Sequence, residues 1–512
     1  MHTKSTVRKE PNGSVALIVS AFIVVLALAA LDQTIVSTAL PAISEELGEK
    51  LRLSWVFSSY LIASTVVIPL YGKLGDLYGR KVVLQVAIGV FLAGSALCGI
   101  SNGMTELIIY RGLQGAGGGG LMTLTMTAVS DLVPDHERGR YLGMLGAAYG
   151  IAALFGPPLG GILAEYLSWR WIFYINLPLG LLSMLVLAYS FRHRSEPRKH
   201  IIDYPGAIAL TAALVLMLIS TKMSIASTDA PSSPSVVFPI LALVFAFAFL
   251  WIETRAPEPI LPLELFRVQT FMAANVLSAI LGVGMFTAVV FLPLYLQIAQ
   301  GFSPVASGMQ LLPMTLGITT ASLGCGRHVG RAGRYRQFAL TGCALISVAY
   351  ALLATMPDAP RSIEISIYML VLGLGLGLLF PVVTMAAQNS VPVKHIGTAT
   401  ATPIMLRSVG GAIGVSLLGA LFSNRITHEF THHFSMPDHA GATTSAATQP
   451  SAIAGSEAVV MAFSAALHPL FWIAAAIAVI GFFVAWMLPG APALSEYGEK
   501  PAELNIKQTE QN

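Results

Sequence analysis

Charge is what this chain has least of. Only 11% of its 512 residues are Asp, Glu, Lys or Arg, against 55% that are hydrophobic. Soluble domains carry charge at about a quarter of their positions, which excludes a water-facing multidomain protein. The net charge of +3 is too small for a nucleic-acid binder. Cys98, Cys325 and Cys343, the only 3 cysteines, are too scattered for a disulfide framework or a zinc site. Inside the apolar stretches acid is scarcer still: of 26 acidic residues, only Asp32 falls well within one. No stretch carries a metal triad, or a nucleophile with base and orienting acid, at recognisable spacing. An enzyme is therefore the least favoured class, and no cofactor is expected.

What the chain has in abundance is apolar length. A bilayer crossing takes about 20 apolar residues, and windows of that size place fourteen helices. They fall at 15–39, 53–72, 82–101, 105–131, 140–164, 171–191, 204–222, 236–253, 270–297, 305–325, 337–355, 363–387, 398–423 and 465–488. The first follows Lys4, Arg8 and Lys9 as a secretory signal would, but it is too long for one and Asp32 interrupts it, so a retained helix is expected. With both termini cytoplasmic, most of the loop Lys and Arg, including Lys73, Arg80, Lys81, Arg138, Arg192, Arg255, Arg331 and Lys394, gather on one face. The opposite face holds few, among them Lys50, Arg52, Arg170 and Arg361, as the positive-inside rule requires.

An internal repeat organises the chain. The loop Gly72-Lys-Leu-Gly-Asp76-Leu-Tyr-Gly79-Arg80-Lys81 returns 254 residues later as Gly326-Arg-His-Val-Gly330-Arg-Ala-Gly333-Arg334. Gly115, Gly117, Gly119, Pro134 and Gly139 return 258 residues later as Gly373, Gly375, Gly377, Pro392 and Gly397. The expected fold is all-α and integral to the membrane: 14 transmembrane helices, as two pseudo-symmetric six-helix bundles plus two inserted linker helices. The expected boundaries are a cytoplasmic tail 1–14, an N-terminal bundle 15–200, linker helices 201–256, a C-terminal bundle 257–490 with a long outer loop 424–464, and a cytoplasmic tail 491–512. Parallel repeats of this kind mark secondary transporters, whose cavity lies between the halves near the midplane.

These residues carry a resemblance. The first repeat loop resembles the signature of the major facilitator superfamily, and Leu107-x-x-x-Arg111-x-x-Gln114-Gly115-x-Gly117 is similar to its helix-4 motif. Gly156-Pro157-Pro158-Leu159-Gly160-Gly161 resembles the helix-5 motif that accompanies antiporters. Leu31-Asp32-Gln-Thr-Ile-Val-x-x-Ala39-Leu40-Pro41 and Trp169-Arg170-Trp171-x-Phe173-x-x-Asn176-x-Pro178 resemble the fourteen-helix drug:proton antiporter family. The resemblance covers about 15–490, with two departures: Gly330 stands where the loop motif has aspartate, and Ala152 where the helix-5 motif often has glycine. It implies a proton-driven exporter of hydrophobic or cationic drugs in a bacterial inner membrane. The implied partners are drug-like molecules, protons and lipid; a periplasmic adaptor is left open, and nucleic acid is not expected. A specific metabolite or siderophore exporter, proton-coupled uptake and a transport-dead membrane receptor are the alternatives.

Each motif also has a plainer reading. A mid-helix carboxylate costs about 2.5–3.5 kcal/mol on insertion scales, so Asp32 is expected to face a cavity or a partner. It is a candidate for proton coupling or a structural carboxylate. Arg111, early in the fourth helix, is expected to hold Asp32, or else to snorkel to the headgroups, and Gln114 shares its face. Gln114, Tyr149 and Arg407 are the expected cavity residues, Arg407 being equally suited to a structural carbonyl contact. Gly72, Asp76, Gly79, Arg80 and Lys81 form a candidate latch for one alternating-access state, or a plain topogenic loop, and Asp131, Glu137 and Arg138 could extend it. Gly156, Pro157, Gly160 and Gly161 suit a kinked rocking contact or general packing. Gly115–Gly120 fits G-x-G-x-x-G, but no strand precedes it, so nucleotide binding is set aside. His428, His432, His433 and His439 in the outer loop admit a metal, although the Ala, Thr and Ser around them favour a solvated segment.

Overall fold

The structure, a computed structural model, describes residues 12–47, 53–133, 135–190, 203–226, 233–298, 300, 302, 304–332, 334–357, 362–392, 395–433 and 457–490. These described residues form sixteen α-helices. In chain order they are α1 Asn12–Leu47, α2 Leu53–Tyr78, α3 Arg80–Gly99, α4 Met104–Leu132, α5 Asp135–Tyr166, α6 Trp171–Tyr174, α7 Asn176–Ser190, α8 Tyr204–Ala226 and α9 Ser233–Glu253. After a 3₁₀ turn at Leu263–Arg267 come α10 Gln269–Ile298, α11 Pro304–Met309, α12 Leu312–Ala332, α13 Tyr335–Ala354, α14 Ser362–Asn389, α15 Ile396–His433 and α16 Glu457–Ala485. In lipid a helix satisfies every backbone donor and acceptor internally, which is why apolar segments of this length fold no other way.

The described residues of all fourteen apolar stretches lie on helices apart from a few at turns and helix ends, the stretch at 171–191 split between α6 and α7 and the one at 305–325 between α11 and α12. Among the described residues, nine helical segments are long and apolar enough to cross a membrane, and Tyr204–Ser220 and Val237–Glu253 are shorter apolar helices. The protein is therefore a multi-pass membrane protein. The expected count of fourteen is not reached on this criterion, for a compositional reason. The interiors of α4 and α5 are diluted by glycine, and the end of α12 carries Arg327 and His328. Lipid-facing side chains mark the outer surface of the bundle: Leu185, Phe247, Trp251, Ile480 and Phe483 are large, apolar and more than half exposed.

Close packing repeats with the sequence. A Cβ added at Gly115 would strike the Tyr60 carbonyl of α2, and one at Gly119 the Ser64 carbonyl. In the second half, Gly373 meets the Met314 carbonyl of α12, and Gly377 that of Ile318. Tyr60 and Met314, like Ser64 and Ile318, are related by the same offset as the two loops, so the repeat is one of contacts as well as letters. The halves also meet in matched pairs. Gly72 of α2 lies against Gly397 and Ala401 of α15, and Gly326 of α12 against Gly139 and Gly143 of α5. The apparent nucleotide motif is consumed in this packing: Gly117 abuts Phe91 of α3, and Gly118 abuts the Tyr60 hydroxyl. Helices α8 and α9 pack on each other, and α8 leans on α2 and α15.

Candidate functional site

Asp32 lies in α1 with no solvent exposure, and its nearest cation is Arg111 of α4, equally buried. Arg111 Nη1 donates to Asp32 Oδ2 at 2.6 Å and to Gln114 Oε1 at 2.7 Å. Gln114 Nε2 donates to Asp32 Oδ1 at 2.7 Å and to Ser95 Oγ of α3 at 2.7 Å. Asn176, the first residue of α7, donates through Nδ2 to Asp32 Oδ1 and to Ser95 Oγ, each at 3.2 Å. Four helices thus converge on one carboxylate. The helical spacing of Arg111 and Gln114 puts both on one face of α4, and the absence of a side chain at Gly94 lets α3 approach the backbone of Gln114. Tyr60 and Phe173 cover the guanidinium at 4.4 and 5.7 Å from their ring centres. Two polar atoms of the cluster, Arg111 Nη2 and Asn176 Oδ1, have no hydrogen-bond partner.

The candidate latch spans the halves. Asp76, near the end of α2, accepts the Gly397 N–H at 2.9 Å and the Thr398 N–H at 3.1 Å. These lie in the first turn of α15, where backbone donors have no helical acceptor and a negative charge is favoured. Arg80 approaches Asp76 at 3.4 Å and donates to the Thr127 carbonyl at 2.9 Å. Gly79, at φ 86°, turns α2 into α3 within a single residue, a conformation that costs glycine no side-chain clash. Lys81 reaches the Ala188 carbonyl at the end of α7 at 2.7 Å, so it ties elements of its own half. Ser130 donates to Gln388 Oε1 at 2.9 Å, and Arg138 to Asn389 Oδ1 at 3.5 Å, both across the halves.

The second loop lacks this cap, for a reason in the backbone. Gly330 takes the place of Asp76, and its opposite helix, α5, begins at Asp135, a turn before Gly139. The Gly139 and Arg140 N–H groups thus already have helical acceptors, and an acid at 330 would find no open donor there.

A small cavity of about 50 Å³ lies between the halves, lined by Gln33 and Tyr149 from one and Phe286, Phe380 and Arg407 from the other. The Tyr149 hydroxyl donates to Gln33 Oε1 at 2.7 Å. The Arg407 guanidinium sits 4.7 Å from the centre of the Phe380 ring and 3.7 Å from Met122 Sδ. The structure therefore brings Asp32, Arg111 and Gln114 into one cluster, and Tyr149 and Arg407 into the cavity; Gln114 belongs to the cluster rather than to the cavity wall. Tyr60 stands between the two sites. Its ring lies 4.4 Å from the Arg111 guanidinium, and its hydroxyl abuts Gly118, which lines the cavity.

Gly156 packs on Thr34 of α1, Gly160 is buried, and Gly161 faces open space. Pro157 and Pro158 lie within continuous α5, but their side chains fall outside the described ones, as do those of Asp131 and of His428, His432 and His433. These three histidines end helix α15 rather than lie in the expected outer loop, and His439 is outside the described residues. Among the described residues, no group of three His, Cys, Asp or Glu side chains could hold a metal ion. Sequence reasoning assigned no role to Ser95 or Asn176. Asn176 was visible within the Trp169–Pro178 motif, whereas a lone serine in an apolar helix gave no signal. The Trp169-Arg170 pair has a structural role: Arg170 Nη1 meets Glu46 Oε1 at 2.5 Å and Trp169 Nε1 donates to Glu46 Oε2 at 2.7 Å. Hydrogen bonds from Arg170 and Trp169 lower the pKa of Glu46, which lies beyond the apolar part of α1.

Comparison with known proteins agrees with this architecture. Residues 22–415 match the model of the Major Facilitator Superfamily. An uncharacterized MFS-type transporter of Mycobacterium tuberculosis is 37% identical over 93% of this chain and 70% of its own length. Multidrug transporter protein MdtP of Bacillus subtilis is 35% identical over 80% of this chain and 75% of its own, and Multidrug resistance protein 3 of the same organism is 34% identical over 83% of each. The fold is shared with the human organic anion transporter MFSD10, at TM-score 0.63 and 14% identity over 93% of this chain and all of the other. With this repeat, these helices and these relatives, the chain belongs to the major facilitator superfamily and is a membrane transporter rather than an enzyme, with multidrug transporters among its relatives.

Proposed function

We propose that this protein is a proton-coupled antiporter of a bacterial inner membrane that exports hydrophobic drug-like molecules by alternating access. In this reading all fourteen helical stretches are crossings, both termini are cytoplasmic, and the latch at Asp76 closes the cytoplasmic face. The observation that carries it is the environment of Asp32: a buried carboxylate held by one cation and two amides, beside a cavity between two halves that meet at matched glycines.

Such a carboxylate suits a proton carrier. Ionised, it accepts three hydrogen bonds. Protonated, it loses its attraction to Arg111 and gains an O–H to donate, and a turn of the Asn176 amide would present its unpartnered Oδ1 as the acceptor. Gln33 of the cavity wall is the next residue of α1 after Asp32 and accepts a hydrogen bond from the Tyr149 hydroxyl. Tyr60 covers Arg111 while abutting Gly118 of the wall, so a substrate pressing on Tyr149 or Gln33 acts one residue from the carboxylate. The driving force suffices, since 100 mV is worth about 2.3 kcal/mol per charge and one pH unit about 1.4. No cofactor enters the cycle.

The test is a purified protein in proteoliposomes under an imposed pH gradient. Substrate-induced proton release that vanishes in Asp32→Asn is the expected result. Substrate binding without proton movement in the wild type would favour a receptor, and undiminished coupling in Asp32→Asn would remove the acid from its proposed role.

A further inference from the structure

Among the described residues, Arg407 forms an ion pair with no acid. It lies in mid-α15 and is only 9% exposed, and no Asp or Glu is among the residues that line its cavity. Its contacts are the Phe380 ring and the weak acceptor Met122 Sδ. A guanidinium holds its proton under all physiological conditions and offers five N–H donors in a planar fork. Burying that charge is unfavourable unless something in the cavity completes its hydrogen bonds. Asp32, the nearby buried acid, is already engaged by Arg111, Gln114 and Asn176. The backbone beneath is fixed, because Gly282 of α10 lies against the Arg407 carbonyl.

We propose that Arg407 anchors the acidic group of an amphipathic organic anion, with Phe286, Phe380 and Met285 receiving its apolar body. This rests on the transport reading and narrows its substrate class: a cavity with a fixed guanidinium and no carboxylate repels the cationic drugs that the sequence resemblance admits. Carboxylate and guanidinium match as a two-point hydrogen-bonded pair, whereas an ammonium group finds no counter-ion here. The cavity of about 50 Å³ holds at most a few waters, so the ligand enters when the halves part. Exporting a monoanion while a proton enters moves two unit charges in the same electrical sense, so transport is accelerated by an inside-negative potential. Cation-for-proton exchange at the same stoichiometry moves none.

The experiment uses three probes with one pyrene body: 1-pyrenebutyrate, its methyl ester and a pyrenebutyl-trimethylammonium salt. Their equilibrium binding to the full chain is measured in phosphatidylcholine nanodiscs, without a pH gradient. The wild type is expected to bind the carboxylate about 10- to 100-fold more tightly than the ammonium probe. Arg407→Gln should erase that preference while leaving the ester unchanged, and Arg407→Lys should keep part of it. Equal or tighter binding of the ammonium probe by the wild type overturns the proposal, as does a carboxylate preference that survives Arg407→Gln. Asp32→Asn, measured alongside, should keep the carboxylate preference. A wild type that shows the preference but moves no protons in proteoliposomes refutes the coupling and leaves this anchor standing; proton-coupled flux by a wild type without the preference does the reverse.

Discussion

Asp76 is the side chain through which the first half caps a helix of the second, so its removal should open that face. Its carboxylate accepts two backbone N–H groups at 2.9 and 3.1 Å from the first turn of α15. A hydrogen bond to a charged group contributes about 1.5–3 kcal/mol, and a negative charge at a helix N-terminus about 0.3–1, rising to about 2 where partly buried. Asp76→Asn keeps one neutral acceptor and loses the charge, so the net loss is about 1.5–3 kcal/mol. At about 1.4 kcal/mol per decade, the ratio of closed to open molecules should fall about 10- to 100-fold. The assay is single-molecule energy transfer between dyes attached at Val82→Cys and Gln337→Cys, exposed positions near the starts of α3 and α13. The three native cysteines are buried and do not compete for label. Gly330→Asp restores the acid at the repeat counterpart and should shift the ratio less than about twofold, because α5 has no open donor there. A ratio unchanged in Asp76→Asn would refute the capping argument.

Three further outcomes follow from the packing. Arg111→Ala strands the Asp32 charge and should cost about 3–5 kcal/mol of stability, seen as a lower thermal midpoint in detergent; Asp32→Asn added to it should recover most of the loss, and a double variant no better than the single would contradict the pairing. Gly115→Ala and Gly373→Ala, each driven into a backbone carbonyl, should cost about 1–3 kcal/mol, whereas Gly112→Ala, with open space around its Cβ, should be neutral or stabilising; equal effects at all three sites would refute the repeat in packing. Glu46 has a lowered pKa, so its stabilisation is complete above the usual carboxylate value of about 4.3 and is lost as pH falls through its lower folded value. Because it is half exposed, the effect is at most about 1 kcal/mol, and Glu46→Gln should flatten that part of the pH–stability curve; an unchanged acid limb would exclude the pair with Arg170.

The helices were legible because lipid leaves an apolar segment one way to satisfy its backbone, and the two halves because Gly72 and Gly326, or Gly115 and Gly373, keep register across the chain. The meeting of Asp32 and Arg111 was legible for a similar reason: two charges in apolar helices have few ways to be tolerated. The rest was written in tertiary geometry. Ser95 and Asn176 look like ordinary polar residues until α3 and α7 bring them to Asp32. The loop motif marked Asp76, but its acceptance of N–H groups from α15 depends on where that helix begins, and one turn of difference in α5 removes the equivalent contact at Gly330. Gln114 was expected at the cavity, yet its position one turn from Arg111 places it equally well on the carboxylate, and only the packing of α1 decides between them.

In the proposed cycle Asp32 gains and loses a proton as substrate comes and goes. Infrared difference spectroscopy of the full chain in lipid reads this directly through the carbonyl stretch of a protonated carboxyl group. The expected result is a carboxyl band that grows on acidification, diminishes when substrate is added, and is absent from Asp32→Asn. A spectrum in which no Asp32-dependent band changes across the physiological pH range, with or without substrate, would contradict it.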